Sequence, residues 1–89
     1  LQAEHELTVG HFYYRRKGYT AAAVRFENAL EKGGGAVREK ALYYLGWTRY
    51  EQRDHEKART LFHALRLEYP HSAYIRKKKL PPFSLDAIS

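Results

Sequence analysis

Apolar residues return every three or four positions along most of this chain, which is the spacing of one face of an α-helix. Ala22, Phe26 and Ala29 fall at i, i+4 and i+7, and Ala58, Phe62 and Leu65 repeat that spacing further on. Good helix formers dominate from Glu4 to Lys79, and no stretch keeps the strict alternation of a half-buried strand. The punctuation is sparse: Gly18, the glycines 33–35, Arg53-Asp54 and Pro70. Glycine past a helix end and Asp at a helix start are ordinary boundary signals, so the pattern predicts helices over about 3–17, 19–32, 36–52, 55–69 and 72–79. Asp54 is expected to cap the fourth helix through its carboxylate. Pro81-Pro82 cannot continue a helix, which leaves residues 81–89 as an extended tail.

The second and fourth helices resemble one another. Ala22 and Ala58 are 36 positions apart, as are Phe26 and Phe62, and the preceding helices keep the same offset in Gly10 and Gly46, and in Val9 and Leu45. Two helix pairs at such a period are the mark of an α-solenoid. The expectation is an all-α fold over residues 1–80, with repeat one at about 4–35, repeat two at about 36–70 and a capping helix at about 72–79. The small residues let paired helices approach, and the two phenylalanines fill the space between them.

The second unit, ALYYLGWTRYEQRDHEKARTLFHALRLEYP, resembles a tetratricopeptide repeat through Leu45-Gly46, Ala58, Phe62 and Pro70. The first unit is similar through Val9-Gly10, Tyr13, Ala22, Phe26 and Ala29, with glycines 33–35 in place of its closing proline. A longer resemblance runs through AEHELTVGHFYYRRKGYTAAAVRFENAL, EKALYYLGWTRY and EYPHSAY, which are similar to repeats of the BamD/YfiO (ComL-like) outer-membrane assembly lipoproteins. That resemblance implies a scaffold at the periplasmic face of the outer membrane, partnered by other members of an assembly complex. It also implies that Arg25, in the Ala-rich helix, lies where such proteins dock a partner.

Composition narrows the chemistry. The chain has 89 residues, so a single small domain is expected, and 44% hydrophobic residues with eight Tyr are too many for a disordered polyampholyte. There is no Cys, hence no disulfide, thiol nucleophile or thiolate metal site, and no Met, which suggests a piece of a longer chain. Ser72, Ser84 and Ser89 are the only serines and have no Gly-x-Ser-x-Gly context, and glycines 33–35 lack the Lys-Ser/Thr of a phosphate loop. Glu27 and Glu31 share a helix face as ordinary surface acids. His5, His11, His55, His63 and His71 contain no i, i+4 pair for a metal. The sequence thus points to no enzyme, no cofactor, no metal and no small-molecule substrate.

Net charge is +6, but four of the sixteen basic residues are consecutive: Arg76, Lys77, Lys78 and Lys79. Setting them aside leaves twelve cations against ten acids, an unremarkable surface. The cluster reads first as a solvated helix end, and otherwise as a contact for anionic lipid or nucleic-acid phosphate.

In a tetratricopeptide array the first helix of each unit lines the concave surface. Here that face is expected to carry Leu7, His11, Tyr14 and Arg15 in repeat one and Lys40, Tyr43, Trp47 and Tyr50 in repeat two. Ala41, Leu45 and Thr48 form the opposite stripe, facing neighbouring helices. Tyr and Trp concentrate binding energy, so with Arg15 and Lys40 alongside the groove suits a protein or peptide segment with apolar and acidic side chains. The competing reading places these aromatics in the core, with Trp47 covered by the fifth helix or the tail. Arg25 has no acid one turn away on its own helix and is expected to be free for a partner. The carboxylate clamp of chaperone-binding tetratricopeptide domains is not reproduced, because Leu7 and His11 stand where its Lys and Asn would be.

The leading expectation is therefore a non-catalytic interaction module of an outer-membrane assembly complex. The alternatives are an anionic-surface or nucleic-acid binder through residues 76–79, or a cytoplasmic tetratricopeptide scaffold. Two repeats are marginal alone, so a longer array, self-association through the first pair's outer face, or a contact from residues 81–85 is expected to support them.

Overall fold

The computed structural model of the chain describes residues 2–77, 80 and 81. Five helices account for all its regular structure: α1 (Gln2–Arg15), α2 (Tyr19–Lys32), α3 (Gly35–Glu51), α4 (His55–Glu68) and the short α5 (Ala73–Arg76). No strand occurs among the described residues, and the all-α expectation holds. Tight turns fold α1 back on α2 and α3 back on α4, while α3 packs against both α2 and α1.

The two turns are built alike. Lys17 takes φ 63° and Arg53, 36 positions later, takes φ 67°; both are left-handed residues that stop a helix. The same bond closes each turn, from Gly18 N to Tyr13 O at 2.8 Å and from Asp54 N to Arg49 O at 2.9 Å. This is why α1 ends at Arg15 and not at residue 17. The glycine spacer behaves differently: Gly33 and Gly34 are extended, and Gly35 opens α3 with φ 54°. A Cβ on Gly34 would meet nothing within 4 Å.

Asp54 caps α4 as the sequence predicts, its Oδ1 accepting from Lys57 N at 3.2 Å. Replacing Asp54 by alanine removes that acceptor and the favourable charge at the helix start. A loss of about 1 kcal/mol is expected in denaturant unfolding, with an unchanged m-value.

The core forms two adjoining clusters. One holds Ala22, Ala23, Phe26 and Leu45, the other Leu42, Tyr43, Ala58, Phe62 and Leu65. Ala41, Leu45 and Thr48 are buried, as expected of the stripe facing neighbouring helices, and Leu45 packs with Ala22, Ala23 and Phe26 of the first pair. The Thr48 hydroxyl donates to the Tyr44 carbonyl at 2.7 Å, which lets a polar group sit there at no exposure. Arg49 pairs with Glu27 of α2 across the two helix pairs. Arg38, near the start of α3, grips Glu68 at the end of α4 through two bonds of 2.7 and 3.1 Å.

The fifth helix is shorter than the predicted span 72–79. It starts at a Ser72 cap whose Oγ accepts from Tyr74 N at 3.1 Å, and it ends at Arg76. Lys78, Lys79 and the tail beyond Pro81 lie outside the described residues. Leu80 packs against the second cluster and Pro81 is fully buried.

Candidate interaction groove

Because α1 and α3 run side by side, side chains at matching heights on the two helices face a common space. Leu7, His11 and Lys40 of the expected concave set line one groove of about 460 Å³, together with Glu4, Thr8, Ala36, Val37 and Tyr44. The walls are apolar at Leu7, Ala36 and Val37. Exposed Lys40 supplies a cation and Glu4 an opposing acid.

Tyr44 forms the hub of the site. Its ring meets His11 edge-on at 5.0 Å, Tyr14 at 5.9 Å and Tyr74 at 6.2 Å, and stacks on Phe26 at 6.0 Å. Sequence reasoning passed over it in favour of its neighbour Tyr43. Helical spacing does not separate the two, since Tyr43 and Tyr44 each lie about one turn after Lys40 and one turn before Trp47.

The remaining expected residues separate. Tyr14 is half-buried, edge-on to Tyr19 at 5.8 Å, and Arg15 is exposed; neither lines the groove. Trp47 is half-buried, with its ring edge towards Phe62 at 6.3 Å and towards Tyr50 at 5.5 Å. Tyr50 in turn stacks on His55 at 4.9 Å. These two aromatics lie partly in the core and partly at its edge.

Two expectations are corrected. Tyr43 is not exposed in the concave face; it is 8% exposed and lies in the core under Tyr74 of α5, ring on ring at 4.4 Å. On the second side of α3, which has no evident partner in the sequence, Tyr74 of α5 covers Tyr43, while Trp47 and Tyr50 meet Phe62 and His55 of α4. Arg25 is not free either. Its Nη1 meets Glu6 Oε1 of α1 at 3.4 Å, and Asn28 donates to the same oxygen at 3.3 Å. Burial pushes the Glu6 carboxyl up, but the bonds from Asn28 and Arg25 and the charges of Arg25 and Lys32 outweigh it and hold it below the usual range. The acid that satisfies Arg25 comes from the neighbouring helix, where a search along its own helix could not find it.

The tyrosines carry a pH signature. Burial, and then the charge of Glu51 and the nearby phenols, push the Tyr14 hydroxyl up to about 12; burial also raises Tyr43 and Tyr74. In the unfolded chain these phenols ionise near 10. From about pH 10 upwards the unfolded state therefore loses protons that the folded state keeps, and stability falls as pH rises towards 12. Alkaline titration is expected to show these tyrosinates absorbing only as helical circular dichroism is lost. Titration of all eight Tyr near pH 10 with the fold intact would contradict the burial of these rings.

Among the cations read as a cluster, Arg76 and Lys77 are exposed, while Lys78 and Lys79 lie outside the described residues. No group of three His, Asp or Glu that could hold a metal gathers among the described residues, and no described helix is long and apolar enough to cross a membrane.

A family model described as tetratricopeptide repeat matches residues 40–72, from Lys40 at the groove through α4 to the cap of α5. That region is a tetratricopeptide repeat, a class of helix pair that generally serves as a non-catalytic module for protein or peptide partners. No curated protein and no solved structure matches the chain.

Proposed function

We propose that this chain is a non-catalytic protein-interaction module whose α1–α3 groove takes a partner segment with apolar side chains and a carboxylate. One observation carries the reading: Leu7, His11 and Lys40, from helices far apart in sequence, converge on a single apolar-walled groove with Tyr44 as its hub. The leucine and valine walls offer apolar area, and Lys40 offers a cation at the rim for an acid.

A fluorescent peptide of alternating leucine and glutamate, titrated against the protein, tests it. Lys40→Glu is expected to weaken binding about tenfold, equivalent to about 1.4 kcal/mol. Arg15→Glu, which makes the same charge change away from the groove, is expected to act much less. Equal losses from the two variants would reduce the interaction to net charge and remove the groove.

Within this class, a role in an outer-membrane assembly complex of the BamD/YfiO kind, at the periplasmic face, is the narrower proposal. The resemblance of the segments from AEHELTVGHFYYRRKGY to EYPHSAY supports it. A lipid-attachment Cys after a signal peptide in the full-length sequence is the feature that would accompany it.

A further inference from the structure

We infer that the surface beneath α5 is a second subsite, one for an aromatic side chain followed by an aliphatic one, and that Tyr74 and Ile75 are its resident, displaceable occupants. The inference rests on the groove reading and extends it. Tyr74 stacks on Tyr43 at 4.4 Å with 26° between the rings and meets Tyr44 edge-on at 6.2 Å, while Ile75 packs against the same cluster. The structure thus displays a ligand for this surface: a tyrosine and an isoleucine in one turn of chain. Tyr44 belongs to both places, meeting His11 in the groove and Tyr74 of α5. A partner lying along the groove past Tyr44 would arrive at the ring of Tyr43.

The resident is lightly held. Helix α5 has four residues, none of them buried, and exposed Arg76 and Lys77 follow its last turn. A single turn of helix has little stability of its own, so its position depends on the ring stack, Ile75, the Ser72 cap and the packing of Leu80 and Pro81 just beyond it. Rotation of the Tyr74 side chain empties the slot on Tyr43 without moving Leu80 or Pro81. Segments with few buried contacts open at the low end of a protein's local stabilities.

The test uses the full chain with a synthetic copy of residues 70–77, PHSAYIRK, as the probe, and Trp47, the only tryptophan, as the fluorescent reporter. Tyr74→Ala is expected to bind this peptide at least tenfold more tightly than the wild type does, and not to bind a version with alanine in place of its tyrosine. Equal binding by folded Tyr74→Ala and wild type overturns the inference. If Tyr74→Ala does not fold, Ser72→Ala, which removes the α5 cap and leaves every aromatic in place, carries the test. Peptide uptake above wild type then supports the subsite, and uptake equal to wild type overturns it. A wild-type dimer abolished by Tyr74→Ala would assign the slot to α5 of a second copy and overturn the partner reading. Lys40→Glu separates the two sites: it is expected to weaken the acidic groove peptide and leave PHSAYIRK binding unchanged.

Discussion

Phe62→Ala is expected to lose about 3–5 kcal/mol and to leave a chain without a cooperative thermal transition near ambient temperature. Phe62 has no exposed surface, and Leu42, Tyr43, Ala58 and Leu65 close around it, with the Tyr43 ring edge-on at 6.2 Å and Trp47 at 6.3 Å. Truncation removes the transfer energy of a whole ring. It also leaves a cavity that cannot collapse, because its walls come from helices fixed by their own turns. Whole domains are stable by only about 5–15 kcal/mol, and a short chain lies towards the lower end. The measurement is circular dichroism against temperature and denaturant. A midpoint within a few degrees of wild type would mean that Phe62 is not the keystone of its helix pair.

Gly46→Ala is the second large effect, and its sign runs against helix propensity. Alanine in mid-helix gains up to about 1 kcal/mol over glycine. Here, however, a Cβ would lie 2.7 Å from Phe62 Cζ and 2.9 Å from both neighbouring ring carbons, and the ring is locked in the core. Overpacking of that kind costs about 1–3 kcal/mol, so the variant is expected to be less stable on balance. Gly10 stands in a similar relation to Phe26, at 2.7 Å from its nearest ring carbon, so a glycine–phenylalanine contact recurs 36 residues apart. Adding Phe62→Leu to Gly46→Ala removes the colliding ring edge. The double variant is expected to be more stable than the summed single effects by about 0.5–3 kcal/mol, as contacting residues couple. Additive losses would show that the methyl and the ring do not compete for the same space.

The helix pairs were legible because their causes are local and periodic. The bounds of α2 follow from Gly18 and the glycine spacer, and the buried stripe of Ala41, Leu45 and Thr48 follows from a single helical face. The groove was legible in part, since Leu7, His11 and Lys40 each sit at a repeat-defined height. What escaped depends on contacts between distant segments. Adjacent residues on a helix point about 100° apart, and periodicity alone did not decide whether Tyr43 or Tyr44 turns to the groove. The decision is made by Tyr74, some thirty residues on, which covers one and leaves the other. Arg25 escaped for a similar reason. Its carboxylate partner, Glu6, lies 19 positions earlier, on a helix brought alongside only by the turn at Lys17. The early end of α5 had no marker in the sequence, because Arg76 and Lys77 are good helix formers.

The spacer between the helix pairs has one further consequence. Gly33 is wedged, since a side chain there would strike Val37, Ala3 and the Ala29 carbonyl, whereas Gly34 looks onto open space. The backbone just after Gly33 is therefore a seam at which foreign sequence can be spliced without disturbing either brick. Closing a longer loop costs only about 0.6 kcal/mol for each doubling of its length. A reporter grafted at that seam would register the two bricks tilting against one another, a motion invisible to probes fixed within either one.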